Sequence, residues 1–191
     1  MDIDIHNVEK KYGIIYSDPP WQQKKGNLRK CRPNQTKTLD YETLPIEQIA
    51  EIHGIASKIA DTEHNFFVWT IDKYLHDTEH MMGNLGYTLH ARIIWDKENG
   101  VAPAFTVRFT HEYLLWFYTK GKMLKPVPEM RGKFTTVLRE HSVSHSRKPS
   151  AAYIMLETMF PAAKKLELFA RNHRYGWDAW GNETDKFDGV G

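Results

Sequence analysis

Four consecutive residues, Asp18-Pro19-Pro20-Trp21, stand directly after the largely apolar run Tyr12-Gly13-Ile14-Ile15-Tyr16-Ser17 and carry the groups needed to act on an aromatic amine. An exocyclic amine such as adenine N6 is a poor nucleophile, because its lone pair is delocalised into the ring. A carboxylate and a main-chain carbonyl that accept its two N–H bonds favour the pyramidal, nucleophilic form. Asp18 offers the first acceptor and the Pro19 carbonyl the second. Pro19 and Pro20 fix φ and stiffen the tetrapeptide, so both acceptors are held rather than recruited. Trp21 presents a broad face on which a purine can stack. The plainer alternative is a turn closing a strand, for which Asp and Pro are ordinary residues.

Such a tetrapeptide needs a rigid frame, and the rest of the chain reads as one. Strand-like and helix-like runs alternate, the pattern of an α/β layer fold. The first strand ends at Ser17. The spacing of Ile46, Ile49, Ala50, Ala56, Ile59 and Ala60 predicts a helix from Pro45 to Asp61. Phe66–Trp69 reads as a buried strand. Asp72 is placed to cap a second helix that presents Leu75, Met82 and Leu85 and stops at Gly86. Strands are expected at Leu89–Trp95, Tyr113–Thr119 and, more weakly marked, Thr135–Leu138. Ser150 is placed to cap a helix carrying Ala152, Met155, Leu156 and Met159, and Leu166–Ala170 forms the final strand. Ligands in such sheets sit beyond the carboxyl ends of the strands, where Asp18 and Arg171 would emerge.

The 191 residues, 41% of them hydrophobic, fit one domain with ample material for a core. A domain over 1–183 and a flexible polar tail over 184–191 are expected. The longest apolar or aromatic run, Tyr113–Tyr118, is far too short to cross a bilayer, and the start of the chain is acidic, so no membrane and a cytoplasmic location are expected. The single cysteine, Cys31, suits a reducing compartment. A formal charge of +2 says little. Its distribution says more: between Asp18 and Asp40 there is no acid, while Lys24, Lys25, Arg29, Lys30, Arg32 and Lys37 all fall there. This basic loop over 22–39, and a second over 120–133, suit contact with phosphates, or else simple solvation.

Asp-Pro-Pro-Trp and the motifs that follow it resemble the permuted, beta-class N6-adenine methyltransferases, a family spanning phage and bacterial DNA enzymes and the eukaryotic messenger-RNA adenosine enzyme. The resemblance covers nearly the whole chain. It implies a single-domain Rossmann-like methyltransferase fold, a mixed and mostly parallel sheet flanked by helices with circularly permuted motif order, and S-adenosylmethionine as cofactor. Asp18, Pro19, Pro20 and Trp21 match the catalytic motif. Tyr41 is similar to the tyrosine that lines the base pocket, and Glu112 to a carboxylate between the two ligands, although an Arg108–Glu112 surface pair fits nearly as well. Lys148, in His145-Ser146-Arg147-Lys148-Pro149, matches a cofactor donor rather than a base, since a cation beside a sulfonium is repelled unless an anion lies between them. Arg171, His173 and Asn182, together with Asp18, match the cofactor site, where Arg171 could hold a carboxylate bidentately. Arg174 and Glu183 depart from the eukaryotic pattern, which has amides there. Asp2-Ile3 or Asp4-Ile5 could reach the cofactor's adenine edge.

The resemblance therefore implies methyl transfer to N6 of adenine in DNA, with the base flipped from a duplex or taken from a single strand. DNA is favoured on family grounds and because the chain has no Cys-rich RNA-binding finger. RNA adenosine methylation, or an inactive nucleic-acid-binding partner subunit, are the alternatives. Oligomeric state, monomer or homodimer, is open. A rival motif, His76-Asp77-Thr78-Glu79-His80, reads as the inverted zinc-hydrolase signature, with both histidines on one helical face. It lacks a third ligand at a defined spacing, so no metal is expected; His141 and His145 form a similar pair.

Overall fold

The computed structural model describes residues 1–22, 43–102, 104, 106–142 and 147–188. In chain order the elements are β1 (Tyr12–Ser17), α1 (Ile46–Lys58), β2 (Ala60–Thr70), a short 3-10 turn (Asp72–Tyr74) leading into α2 (Leu75–Asn84), β3 (Thr88–Asp96), β4 (His111–Tyr118), β5 (Val137–Arg139), α3 (Ser150–Met159), β6 (Lys165–Leu168) and β7 (Trp177–Trp180). The strands form one sheet in the order β5-β3-β4-β2-β1-β6-β7. Among the described strands, β4 alone runs against its neighbours β2 and β3; the other pairings are parallel. This is the mixed, mostly parallel Rossmann-like sheet that the resemblance implied.

The strand sequences explain why both faces are covered. Phe66 and Val68 of β2 and Leu115 and Phe117 of β4 join the core beneath α1 and α2, while Phe67, Trp69, Leu114 and Trp116 join the core beneath α3. A strand buried on both sides must be apolar throughout, with successive side chains divided between two cores. All six residues of β1 are buried. Helix α1 contributes Ile49, His53 and Ala56, on one stripe.

Several boundaries differ from expectation. Helix α1 stops at Lys58, where the Ile59 N–H closes on the Ala56 carbonyl, and Ala60 and Asp61 begin an eleven-residue strand, paired from Ala60 to Tyr12. Asp72 lies inside the 3-10 turn and makes no side-chain cap, but the stop at Gly86 is as expected, with φ of 86°. Ser150 is the first residue of α3, not its cap; Glu140 takes that role from β5's far end, its carboxylate accepting the Ser150 and Ala151 N–H groups at 2.8 Å each. Strand β7 has no counterpart in the expected elements, being only four residues long and dominated by the Trp177 and Trp180 rings. The chain end is anchored as far as Asp188: Phe187 N–H donates to the Arg171 carbonyl and Asp188 binds His173.

Candidate active site

From β1 the chain passes to β2 on one side, while β6 and β7 lie on the other. The carboxyl ends of β1 and β6 therefore meet at a switch in strand order, with Ser17 in register with Leu168. Open α/β sheets bind ligands at such a point. Asp18 leaves β1 there, its N–H reaching the Leu168 carbonyl at 3.4 Å. The next residues fold tightly: Trp21 N–H donates to the Pro19 carbonyl at 2.9 Å and Leu44 N–H to the Pro20 carbonyl at 2.9 Å. The Pro19 oxygen keeps a second lone pair for an amine.

Asp18 is 9% exposed and forms one end of a buried chain of charge. Lys148 Nζ lies 2.9 Å from Asp18 Oδ1 and 2.8 Å from Glu112 Oε2, and Lys97 Nζ lies 2.5 Å from Glu112 Oε1. Burial alone would discharge Lys148, but the Asp18 and Glu112 carboxylates outweigh it and push its pKa up. Burial likewise works against the Glu112 carboxylate, yet Lys148 and Lys97 bring it down to about 2. Lys148 is thus a fixed cation, held between the carboxylates of Asp18 and Glu112. The Arg108–Glu112 pair does not form; Arg108 donates instead to the Asn99 and Gly100 carbonyls.

Trp21 is more enclosed than a free stacking platform. It is 6% exposed, its Nε1–H donates to the Trp69 carbonyl at 3.0 Å, and its ring stacks on Tyr74 with centroids 5.1 Å apart and planes 19° apart. Nothing in the sequence separates Tyr74 from the other tyrosines. Tyr41 and the basic residues Lys24, Lys25, Arg29, Lys30, Arg32 and Lys37 lie outside the described residues, as do His145 and Ser146.

On the β6 side, Glu167 is 4% exposed, and its carboxyl group accepts the Tyr153 hydroxyl at 2.8 Å. Burial, reinforced by the nearby Asp18 charge and only partly offset by Tyr153, pushes its pKa up to about 8. Along the sequence it is one polar residue in Lys165–Ala170; a carboxylate inside an otherwise buried strand is the signal that marks it. Asp18, Lys148, Glu167, Phe169 and Arg171 line one cavity. Gly181 packs against Ala170 so closely that a Cβ would meet its carbonyl oxygen at 2.8 Å, and Asn182, the residue after it, is not among the residues that line this cavity.

His173 is drawn elsewhere in this structure. Its Nδ1 meets Asp188 at 2.6 Å and its Nε2 meets Asp2 at 2.9 Å, and these two carboxylates raise its pKa. Asp2 lies beside Ala179, whose carbonyl accepts the Ile3 N–H at 3.0 Å, while Asp4 closes a turn with His6 and Asn7. Arg174 is bidentate to Glu157, and Glu183 binds Lys186 and lies 4.0 Å from Arg171, so both departures from the eukaryotic pattern have local partners. Glu79 of the rival zinc motif is bidentate to Arg92, and among the described residues no three His, Cys, Asp or Glu side chains are grouped to hold a metal. No helix among the described residues is long and apolar enough to cross a membrane.

The fold, the Asp-Pro-Pro-Trp loop at the sheet's switch point and the pocket of mixed charge beside it define a Rossmann-like methyltransferase domain of the N6-adenine type. The comparison with known families agrees: residues 12–183 match the MT-A70 model, and the chain belongs to the MT-A70 family. It is 31% identical to the type II methyltransferase M.MunI of a Mycoplasma species over 91% of this chain and 78% of that protein. It is 26% identical to the human N(6)-adenine-specific methyltransferase METTL4 over 96% of this chain but 40% of that one. With the zebrafish N(6)-adenosine-methyltransferase subunit METTL3 the identity is 25%, over 92% of this chain and 28% of the relative. The chain thus spans most of the Mycoplasma protein and well under half of these two eukaryotic ones.

Proposed function

We propose that this protein methylates N6 of adenine in DNA, using S-adenosylmethionine. The observation that carries the reading is the Asp18–Lys148–Glu112 chain of buried charge at the switch point between β1 and β6, directly attached to the Pro19 carbonyl. The cavity's donor set suits the cofactor. Asp18 and the buried Glu167 suit its cationic centres and Arg171 its carboxylate, with Lys148 between the carboxylates of Asp18 and Glu112. Asn182 is assigned to the ribose hydroxyls and His173 to the carboxylate, once its contacts to Asp2 and Asp188 open. When bound, S-adenosylmethionine supplies an electrophilic methyl group.

The chain's own groups then do the following. Asp18 accepts one N6–H and the Pro19 carbonyl the other, drawing the nitrogen lone pair out of conjugation. Lys148 stays charged and keeps the Asp18 carboxylate in position rather than taking a proton. The amine proton leaves to water. Trp21 with Tyr74 forms the wall against which the flipped base rests, and Tyr41 is assigned to the same base. Glu112 orients Lys148 and lies where a base or ribose edge would come. Lys24, Lys25, Arg29, Lys30, Arg32 and Lys37 follow the loop directly and suit the phosphates on either side of the target.

DNA rather than RNA is supported by the higher identity to the Mycoplasma type II methyltransferase, 31%, than to METTL4, 26%, or METTL3, 25%. The test is mass spectrometry of nucleosides after incubation with cofactor and either plasmid DNA or RNA of matched sequence. N6-methyldeoxyadenosine is expected from DNA. Methylation of RNA alone, or of neither, refutes the proposal.

A further inference from the structure

We propose that His53, a residue far from the Asp-Pro-Pro-Trp motif in sequence, is the positioning residue that holds this loop in its working geometry. The inference rests on the methyltransferase reading above. His53 lies on the buried stripe of α1 with Ile49 and Ala56, where packing alone would be served by an aliphatic side chain. It is 0% exposed, and its Nε2 lies 2.8 Å from the Oγ of Ser17, itself 0% exposed. Ser17 is the last residue of β1 and the one to which Asp18 is joined.

The same ring touches the other half of the site. It packs at 4.9 Å on Phe66 of β2 and at 6.3 Å on Phe169, the first residue past β6. Phe169 has φ of 57°, the left-handed region that a bulky residue seldom enters, and it lines the cavity with Asp18 and Glu167. His53 therefore braces the two strand ends from behind: Ser17 by a hydrogen bond and Phe169 by ring contact. The brace matters because the direct link across these ends is weak. Asp18 N–H reaches the Leu168 carbonyl only at 3.4 Å.

One further observation marks this histidine as more than filler. Its Nδ1 is buried with no hydrogen-bond partner among the described residues. Buried polar atoms are nearly always paired, and an orphan retained next to a reacting loop points to a bond on the other nitrogen that the site needs. Burial brings the imidazole pKa down to about 3, so the ring stays neutral and the bond persists at any working pH. With the proton on Nε2, Ser17 Oγ accepts and Nδ1 carries only a bare lone pair, the less costly orphan.

The experiment compares the parent with His53→Leu, His53→Gln and Ser17→Ala. Glutamine places its amide nitrogen near the position of Nε2 and restores the donor; leucine fills the space without it. Amide hydrogen exchange is followed at Asp18 and Trp21, with β4 amides as the internal reference. Methyl transfer is measured as kcat and KM for both substrates. In His53→Leu the Asp18 and Trp21 amides exchange faster while β4 is unchanged. The kcat falls about 10- to 100-fold, as for a misplaced reacting group, and KM for the cofactor stays within about twofold. Ser17→Ala shows the same loss, the double variant is no worse than either single, and His53→Gln restores exchange and kcat. Equal protection in His53→Leu and the parent overturns the inference, as does a His53→Gln variant as impaired as His53→Leu. A parent that methylates no adenine refutes the function proposed above, and the exchange pattern then still decides whether His53 holds the loop.

Discussion

With Glu167 set against a cationic centre of the cofactor, as proposed above, its buried carboxyl would make cofactor binding depend on pH in a calculable way. In the unliganded protein burial holds its pKa up to about 8, against an ordinary 4.5. A cationic cofactor centre placed beside it would favour the charged form and release the proton. At pH 6 only about 1 per cent of the free protein is ionised at Glu167, and at pH 8 about half is. If the bound form titrates near the ordinary carboxylate range, affinity rises about 50-fold between these pH values, close to about 2.3 kcal/mol. The sign follows from the raised pKa: protonated Glu167 competes with the cofactor's charge, so binding is weakest where the group is protonated, below about 8. Calorimetry at pH 6, 7 and 8 in two buffers of different ionisation enthalpy gives both affinity and proton release, with nearly one proton expelled at pH 7. Because the cofactor's own amine titrates in this window, the quantity to compare is the ratio of parent to Glu167→Gln affinity. That ratio climbs with pH. A flat ratio from pH 6 to 8 refutes the placement of Glu167 against the cofactor's charge.

Asp18→Asn is expected to reduce methyl transfer at least about 100-fold, because the residue is assigned to the substrate amine, while calorimetry detects weakened cofactor binding, because it also faces the cofactor's cationic centres; near-parental turnover removes the central assignment. Trp21→Ala is expected to destabilise the fold by about 3–5 kcal/mol in urea titration, since it empties a buried site and strips the Trp69 carbonyl of its donor. A loss confined to substrate affinity, with unfolding unchanged, would show the ring to be a free platform after all. Glu140→Ala is expected to cost about 0.5–2 kcal/mol by uncapping α3 and to lower activity through Lys148; an unchanged melting temperature refutes the cap. Neutralising Lys24, Lys25, Arg29 and Lys30 together should lower the magnitude of the log affinity against log salt slope on duplex DNA, by roughly one for each phosphate that no longer meets a cation. A parental slope in that variant moves the phosphate path to Lys120–Lys133.

What is legible in the chain before it folds follows a physical division. The strand cores are legible because burial on both faces demands continuous apolar runs, as in β1 and β4, and the Asp-Pro-Pro-Trp loop is legible because its chemistry is contiguous. Contacts made across the sheet leave no such trace. Glu140 caps a helix ten residues away, Glu112 meets Lys148 only because β4 runs antiparallel in an otherwise parallel sheet, and Glu167 shows its importance only once Asp18 stands beside it. Trp21 shows the limit from the other direction: the motif suggests an open aromatic face, while the return of the chain through Tyr74 and Leu44 encloses the ring. The same topology accounts for His53. A histidine on the inner stripe of a helix looks like a packing choice along the sequence, and becomes a bond to the reacting loop only when β1 and β6 bring Ser17 and Phe169 over it. The contiguous part of this site is therefore legible as a motif, whereas His53, Glu140 and Glu167, dispersed over α1, the end of β5 and β6, are recoverable only from the fold.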